Sequence, residues 1–256
     1  MWYCPKAITY TTAKVSYKIF HTFAVVEEKR VGLDAPEFFT LLLENQMQKE
    51  YRTISTEASA EFEEKKSRFI ACARPVTSEE EAAAFINRLK SKYWNATHNV
   101  YAYYICGINI LQKFSDDGEP SGTAGMPVLE AVKKLMVQDI AVVVTRYFGG
   151  TLLGAAGLVR AYGKSATMGI EAAGIIKRQL CIRTDIILEY TLLGKVQSML
   201  GAKRYLINEI SYGQDVQISC SVPVDEYELF VSELTEATNA RALVNEGEKE
   251  YITVFS

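Results

Sequence analysis

The sequence predicts an α+β protein in two domains, and three observations carry that prediction. The chain has 256 residues, roughly the length of two ordinary domains. Hydrophobic side chains make up 48% of it and charged ones 23%, enough apolar material for a sizeable core. Short strand patterns alternate with helix signals up to about residue 176, and residues 178–256 then read strand, helix, strand, strand, helix, strand. That last order is the ferredoxin-like arrangement.

Residues 54–63 and 68–75 read as two strands around the charged turn Glu64-Lys65-Lys66. Ser78 is a good N-cap, Glu81 completes a capping box, and Ala82, Phe85, Ile86 and Leu89 recur at helical spacing. His98 to Cys106 is a Tyr-, Val- and Ile-rich strand that turns at Gly107-Ile108-Asn109 into a second strand, 110–115. A helix is expected from about Pro127 to Met136, a buried strand from Ile140 to Tyr147, and a helix over 155–173 that stops at Gly174. In the tail, strands fall near 179–191, 205–212, 215–222 and 249–255, with helices near 194–203 and 225–238. Asp225 is the expected cap of the second of these helices, and Tyr212-Gly213-Gln214-Asp215 the hairpin turn. The domains are therefore expected at 47–176 and 177–256. Residues 1–46 show no sustained period, and Met47 opens a plausible natural start, so they read as an appendage or an upstream stretch translated in error.

Charge excludes some functions. Net charge is 0 over residues 1–46, +1 over 47–175 and −4 over 176–256. No segment has the basic balance of a dedicated nucleic-acid binder, so DNA is not an expected partner and any RNA contact must come from a local patch. Five cysteines without a C-x-x-C pair read as buried free thiols in a reducing cytoplasm. No apolar run reaches bilayer length.

Two glycine-punctuated loops hold the functional signal. The first, Asp116 to Gly125, enters a helix. Gly122, Thr123 and Gly125 could present converging backbone N–H groups to a phosphate. Asp116, Asp117 and Glu119 could instead hold a hard cation such as Mg²⁺. A third reading is a rigid turn whose Asp side chains cap local N–H groups. The second loop runs from Thr145 to Gly157, between a buried strand and a helix. Arg146 sits at the strand end, Gly149 and Gly150 follow, and Arg160 and Lys164 share one helix face. Tyr147, Phe148 and Tyr162 offer stacking surfaces beside this charge, a combination suited to looped or single-stranded RNA. The alternative is core packing for the aromatics and a solvated helix face for the two cations. His98 reads either as a hydrogen-bonded structural residue or as a general base or metal ligand. The P-loop pattern is absent, and the second loop matches G-x-G-x-x-G only loosely, so no nucleotide cofactor is expected.

Trp94-Asn95-Ala96-Thr97-His98-Asn99, Asp116 to Gly125, Thr145 to Gly154, and Gly157 to Gly163 together resemble the YigZ/IMPACT family, over about residues 50–256. The resemblance implies an N-terminal domain with the fold of the second domain of ribosomal protein S-five, shared with domain four of elongation factor G, and a ferredoxin-like C-terminal domain. It also implies a link to translation, since the eukaryotic relatives are translational regulators that carry a separate N-terminal interaction domain. Three functions follow as expectations. The first is a non-enzymatic accessory protein that docks on RNA or the ribosome through Arg146, Arg160, Lys164 and the two loops. The second is a protein-interaction regulator of the translational stress response using a C-terminal sheet face. The third is a metal-dependent enzyme acting on phosphorylated metabolites or nucleotides, with His98 as acid or base.

Overall fold

The computed structural model describes residues 48–107 and 109–254, so the reading of residues 1–46 lies outside the described residues. Two antiparallel sheets organise it. The first has strand order β2-β3-β6-β4-β5, from β2 (Ala58–Glu64), β3 (Ser67–Pro75), β4 (His98–Cys106), β5 (Ile110–Ser115) and β6 (Ile140–Tyr147). Alternation sorts its side chains. Phe69, Ala71, Ala73, Val142 and Val144 face α2 (Gly125–Lys134) and α3 (Ala155–Ala172), whereas Ile70, Cys72, Ala141 and Val143 face α1 (Glu79–Lys92). The Ile140–Val144 run is continuous because both faces of β6 are covered.

The second sheet is built on β7 (Ile175–Leu188). Its order is β10-β7-β9-β8, with β8 (Leu206–Tyr212), β9 (Val216–Pro223) and β10 (Leu243–Val254). Helices α4 (Leu193–Lys203) and α5 (Tyr227–Thr238) supply Val196, Leu200, Phe230 and Leu234 to its core. The observed order β7-α4-β8-β9-α5-β10 is the one expected for the tail.

Three details differ from expectation. The strand expected at 54–63 starts later, at Ala58, because Ser55 and Thr56 donate to the carbonyls of Gly174 and Ala173 and turn the chain. Before that turn lies a strand that the sequence pattern does not mark, β1 (Glu50–Ile54), which pairs with residues 175–179 of β7 in the second sheet, on the edge that β9 occupies further along. The capping box at Ser78 is offset: Ser78 Oγ accepts from the Glu81 N–H, but the Glu81 carboxylate takes the N–H of Thr77. Asp225 is not the cap of α5; a short 3₁₀ turn, Val224–Glu226, leads into the helix, and neither end has a side-chain cap.

The cysteines Cys72, Cys106, Cys181 and Cys220 are free thiols. Burial pushes Cys181 up to about 11 and Cys220 up to about 12, which makes both poor nucleophiles. Among the described residues no helix is long and apolar enough to cross a membrane.

Candidate functional site

The β4–β6 register sets His98 directly opposite Arg146, and the β3–β6 register sets Phe69 on the other side of Arg146. These strand ends deliver three side chains to one place, and the two loops close over them. Arg146 is 5% exposed. Its guanidinium lies 2.6 Å from Glu119 Oε1, donates to Ser67 Oγ at 3.3 Å, and sits 5.6 Å from the ring centres of both Phe69 and Phe148. Glu119, 8% exposed, also accepts from the Tyr162 hydroxyl at 2.7 Å. Burial and then this bond to a carboxylate push the Tyr162 hydroxyl well above its ordinary range. Tyr162 is thus a buried hydrogen-bond donor, with no ring face left for a base. Arg146 carries a charge already neutralised inside the protein, and a phosphate would have to displace Glu119 to reach it.

The first loop fills its own anion seat. Asp116 Oδ2 accepts from the Gly122 N–H at 2.9 Å, and Oδ1 accepts from Ala124 and Gly125 at 3.0 and 2.8 Å. Partial burial works against the charge, but these three backbone donors outweigh it and hold the carboxyl below its usual value. The third reading of this loop is the one realised for Asp116. Thr123 spends its hydroxyl on the Pro120 carbonyl, and a Cβ on Gly125 would stand 2.8 Å from the Ser115 backbone. Asp117 turns elsewhere, to Lys90 Nζ at 2.7 Å and the Asn99 N–H at 2.6 Å. Asp116, Asp117 and Glu119 therefore serve three separate sets of partners. No group of three His, Cys, Asp or Glu side chains able to hold a metal ion occurs among the described residues.

The second loop is different. Gly149 is a packing residue: a Cβ there would lie 1.9 Å from the Lys66 carbonyl, and its N–H donates to Ser67 Oγ. Gly150 is exposed, with φ +82° and open space around it. Tyr147 is half-buried and donates its hydroxyl to Asn95 Oδ1, while the Phe148 ring is 46% exposed. Helix α3 then starts from Gly154 at φ +72° with no side-chain cap and no acidic residue in its first turn. Arg160 and Lys164 are exposed on its outer face. They line a groove of about 320 Å³ with Phe62, Glu64 and Lys65, and Lys164 Nζ lies 4.6 Å from the Phe62 ring centre.

The two loops do meet. They enclose a second cleft of about 440 Å³ lined by His98, Glu119, Pro120, Arg146, Phe148 and Leu152, with the start of α3 at its edge. His98 Nδ1 is 2.8 Å from the Asp117 carbonyl, and Nε2 is 3.8 Å from Glu119 Oε1. A carbonyl partner requires the proton on Nδ1, so the neutral ring presents Nε2 as an acceptor. Leu153 lines both cleft and groove and forms the ridge between them. Sequence reasoning missed Ser67, Lys65, Phe62 and Leu152. The first three arrive through the β2–β3 hairpin, about 80 residues before the second loop. Leu152 is 82% exposed, an unusual place for a leucine that a sequence does not mark.

These features define a class: a two-domain α+β protein of antiparallel sheets, with a partly apolar cleft where two glycine loops converge. The chain belongs to the IMPACT family. Residues 65–170 match the Impact N-terminal domain, and residues 186–241 match a domain of unknown function, DUF1949. The chain is 43% identical over 202 residues to the IMPACT family member YvyE of Bacillus subtilis, covering 79% of this chain and 93% of that protein. It is 32% identical over 174 residues to the IMPACT family member YigZ of Escherichia coli, covering 67% and 85% respectively. With the IMPACT homolog of Dictyostelium discoideum it shares 43% identity, over 36% of this chain and 27% of that protein. A solved structure described as that of a hypothetical protein aligns with a TM-score of 0.50 at 28% identity, covering 80% of this chain and all of that one.

Proposed function

We propose that this protein is a non-enzymatic, cytoplasmic accessory of translation that binds RNA or the ribosome through the open side of α3. One observation carries the reading: the start of α3 is uncapped and is followed by the exposed cations Arg160 and Lys164, with the exposed ring of Phe148 nearby. Free N–H groups, a helix dipole and two cations suit phosphate, and an exposed aromatic suits an unstacked base. Membership of a family whose eukaryotic members are named IMPACT, and free thiols that suit a reducing compartment, support the setting. The reading also takes the β-α-β-β-α-β half as ferredoxin-like and the first half as the fold of the second domain of ribosomal protein S-five. Arg146 supports this surface from beneath by holding Glu119 and packing under Phe148; it is not a phosphate ligand.

Ribosome co-sedimentation at about 50 mM and about 200 mM salt tests the reading. The wild-type chain pellets with ribosomes at the lower salt and is largely released at the higher. The Arg160→Ala/Lys164→Ala double variant stays in the supernatant at both. Co-sedimentation of that variant at wild-type levels would refute the proposal.

A further inference from the structure

Resting on the RNA reading, we infer that the 440 Å³ cleft takes one unstacked base out of a single strand, and that its edge chemistry selects guanine. The cleft has the mixed character a base requires. Phe148 and Leu152 offer exposed apolar surface at the rim, at 46% and 82% exposure, and Leu158 and Pro120 line the wall. Polar groups stand further in. Bases splayed from a strand are held by stacking on such faces and read by hydrogen bonds along one edge.

Arg146 also lines the cleft, but it spends Nη1 on Glu119 and Nη2 on Ser67 and its unpartnered Nε is buried, so the acceptors of Glu119 and His98 carry the readout. Glu119 receives both Arg146 and Tyr162 on Oε1, which leaves Oε2 for a donor from a ligand. His98 Nδ1 is committed to the Asp117 carbonyl, so Nε2 in the neutral ring is the second acceptor. His98 Nε2 lies 3.8 Å from Glu119 Oε1, which puts the ring nitrogen and the carboxylate on the same wall of the cleft. A matching edge must present two adjacent N–H donors. Guanine does so with its ring N–H and its exocyclic amino group. Cytosine and adenine set an acceptor beside their amino group, and uracil flanks one N–H with two carbonyls.

The strand also has a path. Leu153 is shared by the cleft and by the groove that holds Lys65, Arg160 and Lys164 against one acid, Glu64. A chain whose base enters the cleft passes over this ridge and lays its neighbouring phosphates along the groove. The base supplies selectivity and the groove supplies salt-dependent affinity.

Fluorescence anisotropy of the full chain with two labelled nine-residue RNAs tests the assignment, one all uridine and one with guanosine at the centre. The guanosine RNA binds roughly 10-fold tighter, and Phe148→Ala removes most of that difference. Glu119→Gln should also remove it. Because Glu119 is part of a buried network, Phe148→Ala, at an exposed ring, is the deciding variant. Arg160→Ala/Lys164→Ala weakens both RNAs and keeps the ratio between them. Guanosine monophosphate as competitor separates the sources of the base: a strand ligand requires a large excess of the free nucleotide to displace it. Equal affinity for the two RNAs, an unchanged ratio in Phe148→Ala, or displacement by stoichiometric guanosine monophosphate each overturns the assignment. If equal affinity comes with weakening in Arg160→Ala/Lys164→Ala, RNA binding stands without the base site. If neither RNA binds, both readings fall.

Discussion

Both glycine loops lead into a helix, yet the two helices begin in opposite states. At α2 the Asp116 carboxylate occupies the backbone donors of Gly122, Ala124 and Gly125. At α3 no side chain caps the start, and Arg160 and Lys164 stand exposed beyond it. A glycine-rich helix entrance therefore has no fixed meaning. In the first loop the donors are filled by an anion of the chain itself; in the second no side chain caps the helix start. The first loop spends its donors on rigidity, and the second keeps them at the surface.

The largest effect should come from the group that joins the two loops. Arg146→Ala leaves Glu119 buried without its counter-charge, and urea unfolding should record a loss of about 3–5 kcal/mol. A loss close to that of a surface substitution would mean the ion pair does not hold the loops together.

Next comes the division of labour inside the second loop. Gly149→Ala forces a Cβ into the Lys66 carbonyl, and thermal melts should show a loss of about 3 kcal/mol. Gly150→Ala meets nothing within 4 Å and bears only the strain of φ +82°, about 1 kcal/mol. Equal losses would erase the distinction between a packing glycine and a turning one.

Asp116→Asn tests the filled seat, with an expected loss of about 1–2 kcal/mol near neutral pH. The pH dependence has a definite sign. The folded carboxyl titrates below its ordinary 3.8, so its contribution is fully present above that value and is lost as pH falls through the folded value. The gap between wild type and Asp116→Asn should close in strong acid; a gap constant down to that range would mean the charge of Asp116 is irrelevant to the seat. The smallest expected stability effect belongs to the open helix. Arg160→Ala/Lys164→Ala should change unfolding by less than about 0.5 kcal/mol, because exposed cations on a helix face support little structure. A larger loss would assign them to the fold and remove them from the binding surface.

Much of the fold was legible because its signals are local. Ser78 with Glu79 to Glu81, the Ile140–Val144 run and the Tyr212–Asp215 turn each declare an element within a few residues, and His98–Cys106, Ile110–Ser115 and Ile140–Tyr147 form strands at the expected bounds. β1 was not legible, since the strand pattern sharpens only from about residue 54 and Glu50–Ile54 is a strand through its pairing with Ile175–Gln179, far along the chain. The candidate site was legible as a set of residues and not as roles. Arg146 looked like a phosphate ligand because a cation at a strand end usually reaches solvent. It is buried here because Glu119, on the other loop, and Tyr162, on α3, come to meet it.

The sequence by itself determined the succession of strands and helices, the two glycine bends and the family pattern, because periodicity, caps and turn residues act over a handful of positions. The tertiary structure alone decided which anion seat is full, which cation is spent and which aromatic is exposed. Those outcomes depend on partners such as Ser67 and Arg146, brought within hydrogen-bond reach by strand register across 79 residues of chain.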